Sequence, residues 1–115
     1  MLIDVRSAYD NSIEFTGTPK EVVSKYPINL TQVSKDIRKT QMPKLARDFY
    51  CRRHGEPPIK RTVIDLINEY NEVFDTVYSV TQLCEIYDKQ WANTVDKLNR
   101  PLDKQHYPKY VKREI

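Results

Sequence analysis

Apolar and polar residues alternate at the start of the chain. Leu2, Val5, Ile13 and Phe15 stand apart with polar residues between them, and the turn formers of "YDNS" at 9–12 interrupt the run. This period of two, broken by a turn, predicts a β-hairpin. The period changes at Thr18. In "TPKEVVSKYP", Thr18 is placed to cap a helix, Pro19 suits its first position, and Glu21 holds the capping-box position three residues on. Val22, Val23 and Tyr26 form the apolar stripe, and Pro27 stops the helix. After the short connection "INL", a second helix is predicted from Thr31 to Gln41, with Val33 and Ile37 inward and Pro43 at its end. "ARDFYCRRH" reads as a strand, and "GEPP" at 55–58 as a linker.

The same order returns in the second half. "RTVIDLINEYNEVFDTVYS" predicts two strands around a turn near Glu69–Asn71. "SVTQLCEIYDK" predicts a helix capped by Ser79, with Gln82 at the capping-box position and Leu83, Ile86 and Tyr87 as its stripe. "QWANTVDKLNRP" is the next helix, with Trp91, Val95 and Leu98 apolar and Pro101 as its stop, and "HYPKYVKREI" the last strand. A shift of 61 residues pairs Ile3 with Ile64, Asp4 with Asp65, Thr18 with Ser79, Tyr26 with Tyr87 and Phe49 with Tyr110. Conservative matches fall on every predicted element. The fold class expected is α+β: two tandem hairpin/helix-turn-helix/strand units packed together, 1–57 and 58–115. The alternative is one α+β domain whose halves look alike because strand-strand-helix-helix-strand is a common string.

Composition is that of a foldable chain, with 39% hydrophobic and 30% charged residues over 115 positions. No apolar run is long enough for a bilayer and no signal-peptide core follows Met1, so a cytoplasmic protein without membrane contact is expected. The net charge of +3 lies in the first half; between Asn29 and Arg53 seven basic residues face two acids. Such a patch concentrates a polyanion and supplies phosphate affinity. Eight tyrosines stand beside two glycines, so a glycine-rich phosphate loop is excluded.

Cys51 and His54 in "CRRH" are spaced like half a zinc site, but no second pair accompanies them and His106 stands alone. Two free thiols, no metal and no cofactor are expected. Neither histidine has an acid–nucleophile arrangement near it, and Glu69 and Glu72 sit in a turn, so no catalysis is expected.

In "NLTQVSKDIRK" the outward positions are Asn29, Thr31, Gln32, Ser34, Lys35 and Arg38. Asn and Gln can bond adenine through two hydrogen bonds, and Lys and Arg suit guanine or phosphate. "PKEVVSKYPINLTQVSKDIRK" resembles the helix-turn-helix of small bacterial and phage regulators, closest to the pattern with a Thr-x-Val-Ser-(Lys/Arg) recognition helix. The resemblance covers about 55 residues once and, more weakly, a second time. It implies a DNA-binding role such as transcriptional control, with the second helix in the major groove. On that reading Asn29, Thr31, Gln32 and Lys35 read bases, while Ser34, Arg38, Lys39, Lys44, Arg47, Arg52 and Arg53 hold phosphates. In the second unit Asn93, Thr94, Lys97 and Arg100 are the counterparts.

The sequence departs from that pattern at Pro27, where the turn lacks glycine. It departs again at Asp36, which would repel phosphate unless it points inward or accepts from a cytosine. Duplex DNA is therefore the first partner expected. A protein partner or a homodimer is the second. That reading makes the chain a phage-encoded inhibitor of a host or defence nucleic-acid-processing complex, anti-CRISPR-like, using Tyr70, Tyr78, Tyr87, Tyr107 and Tyr110 with Trp91. For Trp91 itself a core position is favoured over base stacking.

Overall fold

A computed structural model describes residues 1–40 and 45–115. The predicted ends at Gln41 and Pro43, and the phosphate candidate Lys44, lie outside the described residues. The fold is α+β, with two similar units. Among the described residues, one unit takes in 1–40 and Arg47–Lys60, and the other Leu45, Ala46 and Arg61–Ile115.

In the first unit β1 (Ile3–Ser7) and β2 (Ile13–Gly17) form the hairpin, α1 (Pro19–Lys25) and α2 (Leu30–Arg38) follow, and β3 (Phe49–Arg53) returns beside β1. The sheet is antiparallel in the order β2-β1-β3. The hairpin turns at Asn11, which holds φ 64°, a left-handed conformation that asparagine tolerates. Thr18 caps α1 with the full reciprocal box to Glu21, and Pro19 stands first in the helix. Ile3, Val5, Val22, Ile28, Val33, Phe49 and Cys51 form the core between sheet and helices, with Phe15, Val23, Tyr26 and Ile37 packed at its margin.

The second unit repeats the plan with β4 (Thr62–Ile67), β5 (Val73–Val77), α3 (Val80–Tyr87), α4 (Trp91–Leu98), a 3₁₀ turn (Leu102–Lys104) and β6 (Lys109–Glu114), in the sheet order β5-β4-β6. Its core is Ile64, Leu66, Val77, Leu83 and Tyr110. Likeness extends to irregularities. The hairpin registers slip between Val5 and Arg6 in one unit and between Leu66 and Ile67, 61 positions on, in the other. Asn71 turns the second hairpin at φ 60°. Thr16 donates to buried Asp4 at 2.7 Å, and Thr76 to Asp65 at 2.8 Å. Tyr26 reaches Glu14 across 3.4 Å, and Tyr87 makes a short bond to Asp75.

Three local expectations need correction. α2 starts at Leu30 and ends at Arg38 rather than running from Thr31 to Gln41. At its end the backbone of Lys39 turns extended, and Arg52 Nη1 takes the Lys39 carbonyl at 2.9 Å in place of another helical turn. Ile86 and Trp91, expected inward, are 55% and 58% exposed. Leu83 and Tyr87, one turn apart, already fill the buried stripe of α3. Trp91 is the first residue of α4 and stands at the rim of a concavity that it lines with Thr62 and Ile64 of β4 and Lys112 of β6, so it borders the sheet without being covered.

Candidate nucleic-acid interface

The face of α2 follows from which residues its core contacts claim. Val33 and Asp36 are buried and Ile37 half-buried, which fixes one side. Thr31, Lys35 and Arg38, at i, i+4 and i+7, stack on the opposite side and are exposed. Gln32 and Lys39 flank that stripe on one edge, exposed, and Leu30 and half-buried Ser34 flank it on the other. Lys35, Arg38 and Lys39 thus stand together with no acid on the outward face, because Asp36 is the acidic residue of this helix and is 1% exposed.

Asp36 is held by three bonds. Arg47 donates from Nη2 to Oδ1 at 2.8 Å and from Nη1 to Oδ2 at 3.0 Å, and the Cys51 backbone N–H reaches Oδ2 at 3.0 Å. A charge-assisted fork of this kind is directional and strong. It ties α2 to the strand on which it lies. Burial, with the adjacent Asp36 charge, pushes the Cys51 thiol up to about 12.

Asn29 and Gln32 carry a second duty. Asn29 Oδ1 accepts from Gln32 N at 2.8 Å, and Gln32 Oε1 accepts from Asn29 N at 3.1 Å, a reciprocal capping box. Both amide oxygens are engaged in starting the helix, which leaves their –NH₂ groups to meet a ligand.

The basic residues divide. Lys35, Arg38 and Lys39 project from α2 into solvent. Arg53 is about half exposed, with only a 3.9 Å approach to Glu56. Arg47 is committed to Asp36 and lies over the Phe49 ring at 5.1 Å. Arg52 is nearly buried, bonded to the Lys39 and Pro57 carbonyls and paired with Glu56 at 3.0 Å. Its cation sits at the C-terminal end of α2, where the helix dipole favours it. His54 lies on Asp4, Nδ1 to Oδ1 at 2.9 Å. Both cysteines are free thiols.

The second unit spends its equivalent residues on structure. Thr94 is 3% exposed and donates to the Gln90 carbonyl at 2.9 Å. Lys97 occupies the place of Asp36, 61 positions on. It donates to the Pro108 carbonyl and lies over the Tyr110 ring at 4.3 Å, and burial lowers the pKa of its ammonium. The tether between helix and third strand is kept while its charge is reversed. Arg100 pairs with Asp96, and Asn93 bonds Gln90 at 3.1 Å on the exposed side. Of the second-unit candidates, Asn93 and Arg100 reach solvent.

The aromatic residues of this unit split. Tyr110 is buried and Tyr78 and Tyr87 half-buried, whereas Tyr70, Tyr107 and Trp91 are exposed. Leu30, in the stretch "INL" expected to be a connection, is 50% exposed at the first position of α2. Comparison with protein-family models, curated proteins and solved structures finds no match. No helix among the described residues is long and apolar enough to cross a membrane.

Proposed function

We propose that the chain is a double-stranded-DNA-binding protein of the helix-turn-helix kind, a transcriptional regulator of phage or mobile-element origin acting in the bacterial cytoplasm. The N-terminal half of α2 enters the major groove. One observation carries this reading: the outward stripe of α2, Thr31, Lys35 and Arg38, is polar and cationic, with Asp36 withdrawn from it and neutralised by Arg47. Thr31 and Lys35 are the base readers, assisted by the –NH₂ groups of Asn29 and Gln32. Arg38, Lys39 and Arg53 meet phosphates; Ser34 lies at the margin. Arg47 and Arg52 hold the helix in place. The role is binding, without chemistry. Titration of the protein with duplex DNA at two salt concentrations, with Lys35→Ala and Lys39→Ala alongside, tests it.

A second reading rests on a different observation. Tyr70, Phe74 and Tyr107 stand exposed around a shallow concavity at the β4–β5 turn of the second unit, with Asn68, Glu69 and Pro108. Apolar clusters at a rim of polar residues suit a protein partner. On this reading the chain holds a nucleic-acid-processing complex as an inhibitor, and random duplex DNA at low salt is not retained.

A further inference from the structure

Leu30 belongs to neither the core cluster nor the capping box of the first unit. The start of α2 is secured by the Asn29–Gln32 box. The hydrophobic staple across that start, which joins the residue before the cap to the fourth helical residue, is supplied by Ile28 and Val33, 7% and 2% exposed in the core. Leu30, between them, is left half exposed. The second unit has the same feature: Trp91, 61 positions on, is the first residue of α4 and is also exposed. A large apolar side chain thus stands exposed at the same helical position in both units.

On α2 this side chain borders the cationic face. It stands next to Thr31 and one turn before Ser34, at the end of the helix that goes deepest into a groove. The major-groove edge of a base pair offers an apolar group only where thymine carries its C5-methyl. We propose that Leu30 is a specificity-determining contact that packs against a thymine C5-methyl, selecting A·T or T·A at one position of the site. This inference rests on α2 being the groove helix. The lysines and arginine farther along the face that Leu30 borders supply the charge complementarity that selects DNA as the occupant over an apolar protein surface.

The test uses the full chain and two synthetic duplexes. One is enriched from a random-sequence pool by the wild-type protein; the other has the same sequence with deoxyuridine replacing thymidine, which removes only the methyl groups. Loss of one buried methyl contact lowers affinity about fourfold. Wild type should bind the uridine duplex about fourfold more weakly. Leu30→Ala should bind the thymidine duplex about fourfold more weakly than wild type and be indifferent to the exchange. Leu30→Gln, which keeps length and adds polarity, should behave the same way. Equal affinity of wild type for the two duplexes overturns the proposal and leaves the groove reading standing. An equal loss in wild type and both variants also overturns it, by giving the methyl to another residue. Failure to enrich any duplex overturns the groove reading and this inference with it.

Discussion

Asp36 and Arg47 are joined by a two-pronged ion pair that turns the acidic side chain of α2 away from solvent. Both terminal guanidinium nitrogens lie within 3.0 Å of the carboxylate oxygens. With the Cys51 N–H it forms the bolt between α2 and β3. A residue that looks hostile to phosphate in the sequence is turned inward, which leaves the outer face of the helix free of acidic side chains.

Removing that carboxylate leaves Arg47 without its partner and a buried N–H unsatisfied. Breaking a buried pair on one side costs about 3 kcal/mol. Asp36→Ala should lower the urea midpoint followed by circular dichroism accordingly. An unchanged midpoint would show that the pair contributes no net stability.

The caps predict a separable effect. Asn29→Ala removes the acceptor for Gln32 N and should cost about 1 kcal/mol, whereas Asn29→Ser keeps a capping oxygen and should cost a few tenths. If both variants bind DNA less well while only the alanine one is less stable, the Asn29 –NH₂ meets the ligand. If binding follows stability in both, Asn29 only caps.

Acid should weaken the protein through its two buried strand carboxylates. Burial pushes Asp4 up, but bonds from His54, Thr16 and Gly55 N outweigh it and hold its pKa below the ordinary 3.8. Asp65 is held below the same value by Arg113 first, and by Thr76, against the cost of burial. The unfolded chain binds protons at these groups at higher pH than the folded one does. Their contribution is therefore complete above the ordinary value and is lost as the pH falls through the folded one. Urea midpoints between about pH 2 and pH 6 should fall less steeply on acidification in Asp4→Asn and Asp65→Asn than in wild type. Parallel curves for all three would contradict the assignment.

Cys51 is buried, and its thiol is pushed up to about 12 by burial and by Asp36. A thiol reacts as its thiolate. In Cys84→Ser, a disulfide reagent at about pH 8 should therefore modify Cys51 only after denaturation. Rapid modification of the native variant would show that the α2–β3 contact opens readily.

Much of this architecture is legible in the chain. Thr18, Pro19 and Glu21 state their helix start through local chemistry, and the alternation from Leu2 to Phe15 states the hairpin, because both depend on neighbours in sequence. The Asn29–Gln32 box carries the same local signature as Thr18–Glu21. It is easily read as base-recognition chemistry instead, since the same amides serve both ends.

The inward turn of Asp36 is legible only as one of two alternatives, and its partners not at all. Its partner is eleven residues away and its third bond comes from a strand backbone, so only the tertiary fold brings them together. The exposure of Trp91 and Ile86 escapes for a related reason. Hydrophobicity marks a residue as able to be buried, and the position of the helix end and of its neighbours decides whether it is. Of the cations in the basic stretch, the pattern cannot separate Lys35 and Lys39, which face solvent, from Arg47 and Arg52, which brace the fold.

The most direct measurement is a mobility-shift titration with duplex DNA at about 50 and 200 mM salt. Wild type should bind at low salt and weaken steeply as salt rises. Lys39→Ala should weaken binding to all sequences alike and reduce the salt slope by about one, while Lys35→Ala relaxes the preference among sequences. Absence of any shift at low salt, or equal binding of wild type and both variants, would contradict a DNA-binding role for α2.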